Sequence, residues 1–554
     1  MSLDHNEDSK NYLIDLHDIW LNIAKQLKIV HKNGWAIGDL STPNIMIKPD
    51  THEPFLIDFE GAYQIGDTNR QLTTHGFAPT SKPTEEIHSD IYGFCSVLLF
   101  SIFPVNSIQG LASKDEYKKL YDYLFGLLNV NKDLNTLMDD VIFERFNMFE
   151  SMESVLEFLN NINLYVEHTK SSSTNNEIIA KVQNMKSDLL DSLKANMNFK
   201  NKDRLVSSDP TLFFTNKLGL AYGAGGIIHT LKYIDEEIPE DLLGWVLDKD
   251  FSEMNNGLYN GLSGLAWVFS EIGYHDLAAH ILAEVFHTDE KSEFTMENGL
   301  VGIGLSSLKL FEDTGDLKWL ELSDRIADKI IEKTDLDNFD GISTFRNEKY
   351  LGLLKGSAGV AYLFLNLHRY SNKVDYLSNS KKVIDYILDN VLSFKKFDSL
   401  PRNEINDTTK VVASPYLYDG TSGLVQVLLL YWKYTKDAEI MKRIKRLLND
   451  LIRPVTPFPS LSMGMAGILN TVIEAATVME TTEYDEVILD YINSLEKYIL
   501  KHPENGISGI PGMQLYRISY DFATGSSGVI CVLHRAQKYF EGEKTSSFFF
   551  SLNN

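Results

Sequence analysis

The chain has 554 residues, 44% hydrophobic and 23% charged, an ordinary globular mixture long enough for three or four domains or two large ones. Its 52 Lys and Arg face 77 Asp and Glu, a formal charge of −25, which repels phosphate backbones and acidic bilayers and argues against nucleic-acid or polybasic membrane partners. Two cysteines, Cys95 and Cys531, supply neither a disulfide framework nor a Cys-rich metal cluster. No apolar run reaches the ~18 residues of a membrane span. The acidic start is unlike a signal peptide, so a cytoplasmic protein is expected.

In chain order, the first constellation lies within residues 30–61. Gly38-Asp39-Leu40-Ser41-Thr42-Pro43-Asn44 is followed by Phe55-Leu56-Ile57-Asp58-Phe59-Glu60-Gly61. Asp-x4-Asn and then apolar-apolar-Asp-Phe resembles the catalytic and metal-binding loops of the protein-kinase fold. Ala78-Pro79-Thr80 and Ser89-Asp90-Ile91-Tyr92 continue the resemblance. It implies that Asp39 accepts the proton of a substrate hydroxyl, while Asn44 and Asp58 hold Mg²⁺ against the phosphates of a nucleoside triphosphate. Two positions depart from the pattern: Ile37-Gly38 replaces the usual His-Arg, and Glu60 replaces the glycine of Asp-Phe-Gly. Too few residues precede His31 for a nucleotide-clamping N-lobe. The expected first unit is therefore a kinase-like C-lobe over 1–168 with its N-lobe absent, either a piece of a longer enzyme or a vestige. Solvated loop carboxylates in an unrelated helical unit are the plain alternative.

The polar run Ser171-Ser172-Ser173-Thr174-Asn175-Asn176 reads as a linker over 169–176. An amphipathic helix is expected over 178–198. Seven Gly-x-x-Gly pairs follow, each heading an apolar run: Gly223/Gly226, Gly261/Gly264, Gly299/Gly302, Gly356/Gly359, Gly420/Gly423, Gly464/Gly467 and Gly525/Gly528. Helices apolar on every face are buried. The stretches between them, such as 440–448, carry mixed charge at helical spacing. A buried helix alternating with an amphipathic one, seven times, predicts an α/α double toroid of seven inner and seven outer helices over 177–554. The whole chain is thus mainly α. The glycines are expected to let neighbouring helix backbones converge at a narrow axis.

A kinase-like segment followed by seven such repeats resembles the class III lanthipeptide synthetases, whose carboxy-terminal part is a LanC-like cyclase. The resemblance implies phosphorylation of Ser and Thr in a precursor peptide, elimination in a separate lyase domain, and addition of Cys thiols to dehydroalanine or dehydrobutyrine, giving lanthionine or labionin rings. Neither the lyase nor the kinase N-lobe is in this chain. Zinc-dependent LanC proteins place Cys and Cys-His just before two of the first glycines; here those positions are Tyr418, Ser462 and Met463. That set does not suit zinc and points to the metal-independent class. The family histidine before repeat four is Lys355, and the family aspartate before repeat two is Gly257.

With the usual acid and base both replaced, the chemistry is argued from the residues present. Thioether formation needs a thiolate, from a thiol of free pKa ~8.5, and a proton for the enolate. The residues just ahead of the glycine pairs crowd the expected mouth, among them Tyr222, Tyr259, Asn260, Glu297, Asn298, Lys355, Tyr418 and Asp419. Lys355, with helix N-termini beside it, would favour the thiolate, and Tyr418 would deliver the proton. Asp419 completes the candidate catalytic set with Asp39, Lys355 and Tyr418. Two plainer readings stand beside this one: Lys355 forms an ion bridge to Asp419, and Tyr418 is a packed rim aromatic. Two other functions compete: a glycosidase-like carboxylate pair, Asp419 with Asp521, and a non-catalytic peptide-binding scaffold of pseudokinase and degenerate cyclase.

Overall fold

A computed structural model describes residues 5–67, 73–81, 86–167, 175–251, 254–288, 293–342, 348–371, 375–404, 411–453, 455–501 and 506–543. The amino-terminal part opens with α1 (His5–Lys32), which packs against two later helices, α2 (Glu86–Ile102) and α5 (Met152–Asn161). Between α1 and α2 lie two antiparallel ribbons. Strands β1 (Trp35–Ala36) and β4 (Tyr63–Gln64) pair, and so do β2 (Ile45–Ile47) and β3 (Pro54–Leu56), with Ile45 opposite Leu56. α2 is buried over most of its length, from His88 to Leu99, as its apolar sequence requires. α3 (Lys114–Leu127) starts at a capping box between Ser113 and Glu116, and α4 (Leu134–Leu137) is a single turn.

Residues 169–174 of the expected linker lie outside the described residues; Asn175 and Asn176 already belong to α6 (Asn175–Ala195). Thereafter helices alternate in two kinds. α7 (Ala224–Tyr233), α9 (Leu262–Glu271), α11 (Leu300–Thr314), α13 (Ser357–His368), α15 (Thr421–Thr435), α17 (Met465–Met479) and α19 (Ser526–Phe540) each begin directly after the first glycine of a pair. Each packs on the next, and α19 packs back on α7, closing a ring. α6 packs on α19, while α8 (Glu240–Leu247), α10 (His275–Thr288), α12 (Leu317–Lys333), α14 (Tyr376–Asp389), α16 (Ala438–Leu451) and α18 (Asp485–Lys497) each pack on the preceding glycine-headed helix. α16 is typical of the second kind. It buries Ile440, Ile444, Leu447, Leu448 and Leu451 and leaves its charged face to solvent. Short strands β5 (Leu392–Ser393), β6 (Asp398–Ser399), β7 (Leu500–Lys501), β8 (Ser508–Pro511) and β9 (Ile518–Ser519) lie in the connections.

Seven backbone hydrogen bonds close the same ring. The residue two before each first glycine donates its N–H to the carbonyl of its counterpart in a neighbouring repeat. Ala221 donates to Tyr259, Tyr259 to Glu297, Glu297 to Leu354, Leu354 to Tyr418, Tyr418 to Ser462, Ser462 to Ala523, and Ala523 to Ala221, all at 2.8–3.0 Å. The circuit satisfies every one of these buried or half-buried amides and fixes which side chains share the mouth.

The glycines act differently from the expected helix-to-helix approach. Each first glycine is extended (Gly261 has φ −138°), so it is not needed for its backbone angle. What excludes a side chain is the preceding loop at each first glycine, and that loop together with the neighbouring repeat at the second. A Cβ on Gly423 would meet the Leu417 carbonyl at 2.5 Å and Leu353 Cβ, from the repeat before, at 2.7 Å.

The glycine-headed helices are also less uniformly apolar inside than their sequences suggest. Ten residues past the first glycine stand Glu271, Lys309, Glu474 and Arg535. Glu271 accepts from His229 Nδ1 and Trp267 Nε1, both at 2.7 Å, and Arg535, fully buried, pairs with Glu474 and donates to Asn470. Burial alone would raise the Glu271 pKa, but the charges of His229 and Lys309, with the hydrogen bonds from His229 and Trp267, outweigh it and hold the group below the usual carboxylate range. Among the described residues no helix is long and apolar enough to cross a membrane.

Candidate functional site: the mouth of the helical ring

The loops that carry the seven-bond circuit turn four polar side chains toward one another. Tyr418 Oη donates to Glu297 Oε2 at 2.7 Å, and Asn260 Nδ2 donates to Glu297 Oε1 at 3.0 Å. Lys355 Nζ lies 3.9 Å from Glu297 Oε2 and 5.5 Å from the centre of the Tyr418 ring. Tyr259, wholly buried, hydrogen-bonds Ser462 Oγ through its hydroxyl and tilts against Tyr418 with ring centres 6.3 Å apart. Glu297 is the hub of this cluster. The side chain of Lys355 is 39% exposed, so the cluster is open to solvent on the lysine side.

The electrostatics suit proton transfer. Burial pushes the Glu297 carboxyl above its ordinary range; Lys355, Tyr418 and Asn260 pull the other way without cancelling it. Burial, with the Glu297 charge behind it, raises the Tyr418 phenol well above 10. A carboxyl of raised pKa hydrogen-bonded to a phenol, with a cation beside it, is the arrangement general acid–base chemistry uses.

Lys355 and Tyr418, two of the sequence candidates, meet here; Glu297 joins them and is the residue the candidate set lacked. Its signal was available, since it occupies the same place before its glycine as Tyr418 and Ser462 do before theirs. Asp419 stands apart. It is buried, accepts from Arg402 Nε and from Ser414 Oγ at 2.5 Å each, and caps its own loop. The alternative ion bridge from Lys355 to Asp419 is replaced by Lys355 with Glu297, because Arg402 already neutralises the aspartate. Asp521 is another loop cap. It accepts from the backbone amides of Asp209 and Thr524 rather than pairing with Asp419.

At the positions that resemble zinc ligands, the Tyr418 hydroxyl is bonded to Glu297 and Ser462 Oγ to Tyr259. Two neutral hydroxyls and the Met463 thioether do not fit zinc. Among the described residues no group of three or more His, Cys, Asp or Glu is placed to hold a metal ion. Cys531 is a core residue, its thiol pushed up to about 12 by burial.

In the amino-terminal part, both carboxylate oxygens of Asp39 are engaged by Thr74, whose N–H donates at 2.7 Å and hydroxyl at 2.9 Å. Asn44 Nδ2 donates to the Asp39 carbonyl at 2.9 Å, and the Ile57 amide donates to the Asn44 carbonyl at 2.9 Å, so the three candidate residues belong to one pair of joined loops. Asp58 is exposed, with φ +58°. Asn44 and Asp58 supply hard oxygen donors of the kind Mg²⁺ takes. Buried Asp90 braces this loop from α2, accepting from the Ile37 and Gly38 amides and from His31 Nε2. Gly38 has φ +82°, and a Cβ there would meet the Gly61 carbonyl at 2.5 Å, which explains why no arginine stands before Asp39.

Comparison with known proteins bears on the carboxy-terminal repeats. Residues 290–458 and 411–550 match the family described as lanthionine synthetase C-like protein. A protein described as probable SapB synthase, from Streptomyces coelicolor, is 22% identical over 556 residues. The match takes in 93% of this chain and 56% of that protein, so it extends into the amino-terminal part, and the chain spans little more than half the length of this curated relative. Among solved structures, nisin cyclase aligns with a TM-score of 0.47 and 16% identity over 67% of this chain and 95% of that one. A GH76A α-1,6-mannanase from Salegentibacter sp. HEL1_6 aligns with a TM-score of 0.38 and 11% identity over 66% of this chain and 100% of that one. The lanthionine synthetase C-like match takes in Glu297, Lys355, Tyr418 and Ser462, and the carboxy-terminal part of the chain is similar to that family over residues 290–550.

Proposed function

We propose that the helical ring is a metal-independent lanthipeptide cyclase of class III, an α/α toroid that adds cysteine thiols to dehydroalanine or dehydrobutyrine in a precursor peptide. The observation that carries this reading is the Glu297–Tyr418 hydrogen bond with Lys355 beside it at the mouth. In the proposed step the Glu297 carboxylate takes the thiol proton and sulfur bonds to the β-carbon of the dehydro residue. The Tyr418 hydroxyl protonates the α-carbon of the enolate, and the Glu297 proton then restores the phenol. One S–H bond and the Cα=Cβ π bond are lost, one C–S and one C–H bond are gained, and both protein groups end as they began. Lys355 stabilises the thiolate and the enolate oxygen as charge develops.

The amino-terminal part we read as the matching kinase C-lobe, with Asp39 as the base and Asn44 and Asp58 holding Mg²⁺ and nucleotide. It acts on the same precursor, with a lyase between the two steps. The deciding experiment for the cyclase uses a chemically dehydrated linear precursor and the full chain in EDTA, with free thiols counted by alkylation and mass spectrometry. Thiol loss faster than the enzyme-free rate, with intramolecular thioethers found on fragmentation, is expected. Equal rates with a folded protein that still binds the peptide would leave a scaffold instead.

A further inference from the structure

The loop behind Asp39 is braced from the far end of the chain. Thr74, which holds both oxygens of Asp39, is followed by His75 and Gly76. The His75 ring meets Tyr516 of the seventh repeat edge-on, with centres 5.0 Å apart and planes at 77°, and its Nε2 donates to the Ser107 carbonyl at 3.3 Å. Gly76 has φ +83° and sits so close to Asn106 that a Cβ would stand 3.2 Å from that residue's backbone. Asn106, buried, donates to the carbonyls of Gly76 and Ser96 and accepts from Tyr121.

The other side of this contact is a turn between β8 and β9. Gly512 donates to the Arg517 carbonyl at 2.8 Å and closes the turn, within which Gln514 and Leu515 both have left-handed backbones, φ +66° and +62°. A bulky residue such as leucine rarely adopts that conformation. It persists only where the surroundings over-determine it, and such strain gathers at segments with a mechanical or functional task. Here the surroundings are visible: Leu515 is buried, and its turn packs on the 3-10 turn Asn106–Ile108 that anchors Gly76. An unbroken series of contacts therefore runs from the strained turn through Tyr516 and Asn106 to His75 and Gly76, and then through Thr74 to Asp39.

We propose that the 512–517 turn of the seventh repeat is a positioning element for the Asp39 loop, with Tyr516 its positioning residue, so that the helical ring sets the order of a site in the other part of the chain. What the Asp39 loop does rests on the kinase reading above; the coupling does not, and its test reads backbone order rather than phosphotransfer.

The test is hydrogen–deuterium exchange of the full chain. Tyr516→Ala should speed exchange across residues 73–78 by about tenfold, because these amides lose their external support. Exchange within α11, far along the chain, should stay unchanged. Tyr516→Phe, which keeps the ring edge, should restore wild-type exchange. Coupling is reciprocal, so His75→Ala should speed exchange across 512–517, and the double variant should add little to either single change. Unchanged exchange at 73–78 in a folded Tyr516→Ala protein overturns the proposal. If that variant loosens α11 as well, His75→Ala decides in its place, and unchanged exchange at 512–517 then overturns the proposal.

Discussion

The hydroxyl of Tyr418 donates to Glu297 Oε2 across 2.7 Å, although the two residues are not neighbours in the backbone circuit: Leu354 lies between them. Their meeting depends on the ring being closed and on both side chains turning toward the same mouth. If the pair works as one proton relay, Tyr418→Phe and Glu297→Gln should each slow thiol loss from a dehydrated peptide by about 10²–10⁴-fold. The double variant should be little slower than the worse single one, since residues that act as a unit are not additive. Thiol counting with each folded variant measures this. Fully multiplicative losses would mean separate roles.

The raised pKa of Glu297 gives the pH dependence a sign. The base form is the carboxylate, so cyclisation should fall on acidification with a midpoint above the ordinary glutamate value, not at it. Stability should run the other way. A carboxyl whose folded pKa is raised contributes stability that is fully present below its unfolded pKa and is lost as pH rises through its folded pKa. Glu297→Gln should therefore be at least as heat-stable as wild type at pH 8 while having lost its activity. A wild-type protein whose acid loss of activity tracked its unfolding would contradict the assignment.

Crowding around the second glycine of each pair predicts a contrast. Gly423→Ala places a methyl group 2.5 Å from the Leu417 carbonyl of its own preceding loop and 2.7 Å from Leu353 Cβ of the repeat before. It should destabilise the ring by about 1–3 kcal/mol, as overpacking does. Gly244, in the middle of α8, has nothing within 4 Å of its would-be Cβ. Gly244→Ala should stabilise by about 0.4–1 kcal/mol through the unfolded chain and helix propensity. Denaturant unfolding of the two variants separates these outcomes directly.

The helix order was legible because burial and turn chemistry are local. All seven first glycines head a buried helix, since a close loop leaves room for nothing larger, and α16 shows the amphipathic period in its residues. Glu297 was legible as a residue of the mouth, but its place as the hub bonded to Tyr418 and Asn260 was not. It depends on which residues in seven distant loops share a circuit, and only the closed backbone shows that the second residue before each glycine is the one that matters. The partners of Asp419 were hidden for the same reason. Sequence places it beside Tyr418 and cannot show that Arg402, 17 positions upstream, already occupies its carboxylate. The polar interior at Glu271 and Arg535 was likewise hidden, because single charged residues in an apolar run give no sign of facing each other.

The Asp419–Arg402 pair makes the last prediction, and it separates structure from chemistry. Asp419 is 2% exposed and both its oxygens are held, by Arg402 Nε and Ser414 Oγ. Asp419→Ala removes two hydrogen bonds, one of them to a charged donor, and leaves Ser414 Oγ without its acceptor in a buried loop. Such a change should lower stability by about 2–4 kcal/mol. Arg402→Ala leaves the buried Asp419 carboxylate without its counter-ion and should cost at least as much as the aspartate change, after which the freed guanidinium, 43% exposed at its side chain, can turn to water. Neither variant touches the Glu297–Tyr418 pair, and the thiol-loss rate per folded molecule should remain within about threefold of wild type. A hundredfold fall in that rate with Asp419→Ala, while the Tyr418 and Glu297 variants stay active, would move the acid–base role from Glu297 back to Asp419.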